Sequence, residues 1–148
     1  MSSKKINTNE YTKIIKDCSD YFATNKDKIS EFAFKYFEIE SLLAKKFPCV
    51  KVNEKSKHST IDTNKILNKF GWCKELVKNV FWGSGGRKVK SCRLLRNKMV
   101  HNFNERLKAF QEVVERYDSL INDMNELEKL ILAEEIKEAS RKRAAKKH

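Results

Sequence analysis

The sequence predicts an all-α protein, a bundle of four to five helices that ends in a long C-terminal helix. Apolar residues recur at steps of three and four along most of the chain, which is the spacing of one face of an α-helix. Only one proline and four glycines occur in 148 residues, so few positions interrupt helices. Hydrophobic residues make up 40% of the chain, enough for one domain of this length to bury a core.

Two helices are predicted in the first third of the chain. Apolar residues at helical spacing place the first over residues 8–22 and the second over residues 26–47, where Pro48 ends it. The lysine-rich segment 49–60 that follows lacks this spacing. We expect it to be an exposed loop, in which its two valines could form a short strand.

A third helix is predicted from Asp62 or Thr63, either of which can cap it, to about Trp82. The glycine-rich sequence GSGG, residues 83–86, ends this helix. These glycines lack the spacing of a phosphate-binding loop and no strand precedes them, so we interpret them as a helix breaker.

The last two predicted helices carry the candidate site and the long apolar stripe. The fourth helix begins near Arg87 and contains the sequence RLLRNKMVHNF, residues 93–103. From Phe103 to Ile136 apolar residues step by four and three, which predicts one helix of about 30–35 residues and about 50 Å. Residues 137–148 lose the pattern and are predicted to be a frayed basic tail of this single domain, whose bundle spans residues 8–136.

The chain is strongly basic, with 32 Lys and Arg against 20 Asp and Glu and a net charge of +12. A charge this far from zero favours a polyanionic partner, which can be RNA, DNA or an anionic membrane surface. A general lysine richness of the coding sequence is the alternative explanation. The charge does not by itself choose between them.

The cysteines indicate neither a disulfide framework nor a metal site. Cys18, Cys49, Cys73 and Cys92 are widely spaced and form no C-x-x-C pair, so we expect reduced thiols and no metal or cofactor. No apolar run approaches the ~18–20 residues that cross a bilayer, and the polar start is no signal peptide. We therefore expect a cytoplasmic protein without a membrane partner.

The fourth predicted helix places three polar residues on one face. Arg93, Asn97 and His101 follow each other at steps of four, so they form a polar stripe. Arg96 lies about 100° from Asn97, on the row that runs into the apolar stripe of the last helix. In an unbroken helix Arg96 and His101 point about 140° apart. They can act on one ligand only if the helix kinks near His101 or a second chain supplies one of them.

The sequence RNKMVH resembles the signature of the HEPN superfamily (higher eukaryotes and prokaryotes nucleotide-binding domains). That signature is an arginine, four to six residues with a polar one first, and then a histidine, in a bundle of four or five helices. The resemblance implies a metal-independent endoribonuclease of toxin or antiphage type, in which two protomers form one cleft. It implies His101 as the general acid or base, Arg96 as the phosphate-stabilising cation, and Asn97 as a residue that orients His101 or the phosphate.

Further cations beside the motif are candidate RNA contacts. We expect Arg93 to contact a second phosphate, and Arg87, Lys88 and Lys90, which follow the glycines, to reach the RNA backbone. The resemblance further implies a homodimer with RNA as its substrate and an antitoxin or a larger defence complex as a possible partner. Phe103 lacks the hydroxyl that a nucleotidyltransferase antitoxin modifies in compact members of the family.

Other interpretations of the same residues stay open. His101 could simply end a helix, and Arg96 could pair with Glu105 or with an acidic residue of another helix. The chain could also be a HEPN domain that binds RNA or scaffolds a complex without cleaving. A third possibility is a basic helical adaptor whose long last helix forms a coiled coil with a partner.

Overall fold

The computed structural model describes residues 8–48, 61–82 and 90–146, and over these ranges the protein is all-α, as predicted. The helices are α1 (Thr8–Thr24), α2 (Lys26–Lys46), α3 (Thr63–Lys69), α4 (Lys74–Phe81), α5 (Cys92–His101), α6 (Arg106–Glu115) and α7 (Tyr117–Lys146). Two single turns of 3-10 helix, Gly71–Cys73 and Phe103–Glu105, lie between them.

The first two helices match their predicted bounds within two residues. Every fourth or third residue of α2 is buried, because the row of apolar positions faces the centre of the bundle. The buried residues of this row are Ile29, Phe32, Tyr36, Ile39 and Leu43. The helix therefore forms the central wall against which the other helices pack.

The segment after α2 begins and ends at one point of the fold. Pro48 and Ile61 form an isolated antiparallel bridge, and the Asp62 N–H donates to the Phe47 carbonyl at 2.7 Å. The predicted loop 49–60, with its two valines, and the glycines 83–86 lie outside the described residues. The two flanks of segment 49–60 thus stay together at the C-terminal end of α2.

The prediction of one unbroken third helix is wrong. Asp62 caps α3 as expected, since its side chain accepts from the Lys65 N–H at 3.2 Å. The helix stops at Lys69, and a 3-10 turn that starts at Gly71 leads into α4. Glycine weakens a helix at this position, and the break lets α4 turn to contact both α5 and α7.

The prediction of one continuous helix from Phe103 to Ile136 is also wrong, because the helix is interrupted at Arg116. The Arg116 guanidinium donates to the Lys90 carbonyl at 3.0 Å and to the Glu112 carboxylate at 2.7 Å. The first of these contacts is tertiary and the second is local, and together they hold the junction between α6 and α7. The apolar spacing continues across the junction, so spacing alone does not reveal the break.

The long C-terminal helix exists, but it starts later and ends later than predicted. At 30 residues, α7 is about 45 Å long. The predicted frayed tail 137–148 is helical as far as Lys146. Glu138 accepts from Lys46 at 3.1 Å and lies 3.6 Å from Lys69, which fixes the helix to α2 and α3 where the tail was expected to begin.

Helices α5 and α7 run in the same direction as α2. The Lys90 carbonyl, just before α5, is bound by the α6–α7 junction, and Tyr117 of that junction bonds Glu31 near the start of α2. Further along, Arg96 of α5 reaches Glu40 of α2. His101 therefore lies at the end of the bundle where α2 finishes.

The core is continuous and apolar. Every helix contributes buried residues to it. Ser91 is the only polar residue of the described ranges that is fully buried. Cys18 and Cys92 are buried and Cys73 is half-buried, all as free thiols, while Cys49 lies outside the described ranges. None of the helices described here is long and apolar enough to cross a membrane.

Candidate functional site

Helix α5 carries the motif, and both its ends are fixed by side chains. Ser91 caps it, with its hydroxyl accepting from the Leu94 N–H at 3.1 Å. The helix therefore begins at Cys92 and not near Arg87, which lies outside the described residues. Its apolar face, Cys92, Leu95 and Met99, is buried. This leaves the polar face of the motif toward α2 and the solvent.

The predicted polar stripe is present. Arg93, Asn97 and His101 lie at steps of four within the unbroken helix, the first two half-buried and His101 exposed. Asn97 makes no hydrogen bond to His101 within the described chain, so it does not orient the imidazole directly in one protomer. The stripe offers a guanidinium, an amide and an imidazole to the same side.

His101 is the last residue of α5, and its side chain makes no hydrogen bond or ion pair with any described residue. The helix end beneath it is held by Arg106, whose Nε donates to the Met99 carbonyl at 2.7 Å and Nη2 to the Val100 carbonyl at 3.3 Å. Arg106 also lies 5.9 Å from the Phe103 ring. The imidazole is thus free, while the backbone that carries it is fixed.

The turn after His101 is built by Asn102 and Glu105. The Asn102 Oδ1 accepts from the Glu105 N–H at 3.2 Å, and its Nδ2 donates to the Glu105 carboxylate at 2.8 Å. Lys98 pairs with the same carboxylate at 3.2 Å. Glu105 is therefore occupied by Lys98 and Asn102 and does not pair with Arg96.

Arg96 points toward α2. Its Nη2 donates to the Glu40 carboxylate at 3.1 Å, and its guanidinium lies 5.0 Å from the centre of the Tyr36 ring. The Arg96 and Glu40 side chains are 27% and 17% exposed, so solvent screens the pair only in part. The Nε of Arg96 is buried and finds no acceptor among the described residues.

Tyr36 completes this cluster and is 1% exposed. Its hydroxyl finds no hydrogen-bond partner at bonding distance among the described residues. Burial raises the pKa of Tyr36 above its ordinary value, the Glu40 charge raises it further, and the cations Arg96 and Arg93 oppose both. The phenol is therefore a neutral group beside two guanidiniums.

The sequence did not single out Tyr36 and Glu40 as members of the site. Tyr36 lies on the buried apolar row of α2, where its helical spacing puts it. The signal that could have found Glu40 is its position four residues after Tyr36, one turn along the same side of α2. The partner in α5 could not have been found, because the pairing depends on how the two helices pack.

Within one chain Arg96 and His101 do not come together. Helix α5 is unbroken from Cys92 to His101, so the two side chains leave it about 140° apart. A kink near His101, the first of the two alternatives, is absent, because α5 is unbroken between the two residues. Of the two ways to unite Arg96 and His101, only a second chain remains.

The other predicted RNA contacts are dispersed. Lys90 pairs with Glu112 at 3.3 Å, at the opposite end of α5 from His101. Arg93 makes no hydrogen bond or ion pair with a described residue. Arg87 and Lys88 lie outside the described residues. Of the predicted RNA contacts that the structure describes, Arg93 is therefore the one that lies beside the motif and has no ion-pair partner among the described residues.

No family model, curated protein or solved structure matches this chain. The resemblance to the HEPN superfamily therefore rests on the motif in α5 and the turn after it, together with the helical architecture. Among the described residues no group of His, Cys, Asp or Glu side chains is arranged to hold a metal ion.

Proposed function

We propose that the protein is a metal-independent endoribonuclease of the HEPN type that acts as a homodimer, as a toxin or in defence against phage. The observation that supports this most is the state of His101, an exposed and unpartnered imidazole on a helix end that Arg106 fixes. A general acid or base must reach the proton that it transfers, and an exposed imidazole on a fixed helix end can do so.

The proposed reaction uses one histidine from each protomer. One His101 removes the proton of the RNA 2′-hydroxyl, and the 2′-oxygen attacks the adjacent phosphorus. The other His101 gives a proton to the departing 5′-oxygen, so the products are a 2′,3′-cyclic phosphate and a 5′-hydroxyl. An imidazole suits both steps because it changes protonation state near neutral pH.

Arg96 is proposed to stabilise the negative phosphate in the transition state. An arginine carries five N–H donors in a fixed fork, and Glu40 takes one of them through Nη2. Glu40 then acts as a positioning residue that holds the guanidinium at the surface of the bundle. Asn97 and Arg93, on the same helix, are proposed as further phosphate contacts, with Arg87, Lys88 and Lys90 along the RNA backbone.

A second candidate function is RNA binding without cleavage. The specific observation in its favour is the ion pair of Arg96 with Glu40, which neutralises the cation that the chemistry requires. In that case the net charge of +12 and the unpaired Arg93 would bind phosphates, and His101 would only end the helix.

The experiment that separates these candidates is incubation of the purified protein with a 5′-fluorescent RNA in EDTA. The proposal predicts shorter products whose 2′,3′-cyclic phosphate ends are detected by mass spectrometry, and no products from His101→Ala or Arg96→Ala protein. Salt-sensitive binding without products would favour the second candidate. Cleavage that EDTA abolishes would exclude the metal-independent mechanism.

An acidic protein is the proposed regulator of the activity, as an antitoxin or as a member of a larger complex. The support is the charge of the chain, because a surface with 12 excess positive charges attracts an acidic protein as readily as RNA. Purification from the native host with and without high salt tests this, since an electrostatic complex dissociates as salt rises.

A further inference from the structure

The outward face of α2 exposes two large aromatic side chains. Phe34 is 63% and Phe37 is 62% exposed, although both belong to the helix that forms the centre of the bundle. Single apolar residues on a surface are ordinary. Two phenylalanines one turn apart form an apolar patch whose exposure to water is unfavourable in free energy. This face of α2 is opposite the row that packs into the core.

A shallow groove continues the patch toward the C-terminal end of α2. It has a volume of about 300 Å³ and is lined by Phe37, Glu38, Ser41, Leu42 and Lys45. Glu38 and Lys45 are seven residues apart, so they lie on one side of the helix and about 10 Å from each other. Neither of them forms an ion pair with a described residue.

We propose that a second copy of this chain docks on this face, with the two α2 helices antiparallel and Glu38 of each copy paired with Lys45 of the other. A twofold contact requires a surface that is complementary to itself. This face meets that requirement, because an acidic residue lies before its apolar centre along α2 and a basic residue lies after it. In this register the axis passes between Ser41 and Leu42, so the two Leu42 side chains meet near it.

The charges also favour a second copy over a lipid surface. An anionic membrane attracts a face that carries only cations. The groove carries one charge of each sign, so its net attraction to an anionic membrane is close to zero. In a twofold dimer each charge faces the opposite charge of the other copy. Of the occupants of an apolar face, a copy of the same chain is therefore the one that this charge pattern fits.

The dimer would bring the two motifs to one level along the helices, and this step rests on the proposed function. Arg96 lies beside Glu40. His101 is five residues further along α5, which puts it near the level of residue 45 of α2 if the two helices run side by side. In the antiparallel register residue 45 of one copy faces residue 38 of the other. His101 of one protomer therefore comes within about 3 Å of the level of Arg96 in its partner along the helix direction.

The symmetry also keeps the two motifs on one side of the dimer. Because Arg96 contacts both Glu40 and the core-facing Tyr36, α5 packs against one flank of α2 and not against its outward face. A twofold axis perpendicular to both α2 helices carries one flank onto the same side of the dimer. The two His101 side chains would then be offset by about 10 Å along the helices, on either side of a cleft.

The test is sedimentation equilibrium of the full chain, without RNA, over a range of about 1–100 μM. The proposal predicts a monomer–dimer equilibrium in the wild type and a monomer for Phe37→Asp at the same concentrations. Glu38→Lys and Lys45→Glu should each weaken the dimer at least tenfold, because each places like charges together. The double variant with both changes should restore the wild-type affinity, since it only exchanges the two signs.

Trp72→Asp serves as the control, because Trp72 is 70% exposed, lies in the turn between α3 and α4 and does not line the groove. It should leave the dimer unchanged, and circular dichroism should show equal helical content in every variant. A wild type that stays monomeric, including one that binds anionic vesicles instead, would overturn the proposal. So would a double variant that fails to restore the dimer.

The failure of this proposal differs from the failure of the proposed function. A dimer that forms as predicted but cleaves no RNA would contradict the proposed nuclease function and support the α2 contact. RNA cleavage by a monomeric Phe37→Asp variant would show that the α2 contact is not needed for cleavage, and it would support the proposed nuclease function.

Discussion

Arg96 of α5 and Glu40 of α2 are joined by a hydrogen bond of 3.1 Å beside the buried ring of Tyr36. This pair is the polar contact that ties the motif helix to the central helix of the bundle. Because it is partly shielded from solvent, its strength lies between that of an exposed and that of a buried ion pair.

Replacing Glu40 by Gln should lower the free energy of unfolding by about 1–2 kcal/mol, because the Arg96 charge loses its counter-charge in a partly buried place. Urea unfolding followed by circular dichroism measures this. The matched control is Glu126→Gln, since Glu126 lies 3.5 Å from Lys129 on an exposed part of α7. That change should stay within about 0.5 kcal/mol. Equal effects of the two substitutions would contradict the special role of the Arg96–Glu40 pair.

Replacing His101 by Ala should leave stability within about 0.5 kcal/mol of the wild type, because the side chain is exposed and unpartnered. The RNA cleavage rate should fall by at least about 100-fold, the usual loss when a general acid or base is removed. Single-turnover cleavage and thermal unfolding of the same preparation measure both. Asn104→Ala, an exposed change at the same turn, is the control and should keep full activity. A His101→Ala protein with wild-type rate would exclude His101 from the chemistry.

Replacing Arg106 by Ala should release the C-terminal end of α5, because two backbone carbonyls lose their charged donor. We expect a loss of about 1–3 kcal/mol of stability. Hydrogen exchange should become faster at the Asn102 amide, which bonds the Lys98 carbonyl at 3.3 Å, and stay unchanged in the second half of α7. Unaltered exchange at Asn102 would show that Arg106 does not hold the helix end.

Stability should decrease above about pH 9 because of Cys92. Burial raises the pKa of this thiol from 9.0 to about 12. Between these values the unfolded chain loses the proton and the folded chain keeps it, so unfolding becomes easier as pH rises. The slope attributable to this group is at most about 1.4 kcal/mol per pH unit. Urea unfolding between pH 8 and 11 should be less pH-dependent in Cys92→Ala, and an unchanged slope would contradict the assignment.

The helices could be predicted from the sequence where local spacing decides them. The row from Ile29 to Leu43 defines α2, and Pro48 ends it. The break at Arg116 could not be predicted, because it depends on hydrogen bonds to the Lys90 carbonyl from another part of the chain. The helical tail beyond Ile136 was missed for a related reason. Its fixation depends on ion pairs of Glu138 with α2 and α3.

The candidate site was predictable only in part. The stripe of Arg93, Asn97 and His101 follows from helical geometry and is present in α5. The direction of Arg96 was left open between a packing role and a functional one, and its partner Glu40 is 56 residues away in the chain. No local pattern specifies such a pair, since it arises from the packing of two helices.

The most direct test of the two-protomer site is subunit mixing. Wild-type and His101→Ala chains are mixed in equal amounts, allowed to exchange, and assayed for RNA cleavage in EDTA. If each active site needs one His101 from each protomer, only dimers of two wild-type chains cleave, and about one quarter of the wild-type activity of the same total protein remains. If each active site uses a single His101, half of the activity remains, and that result would contradict a site that needs one histidine from each protomer.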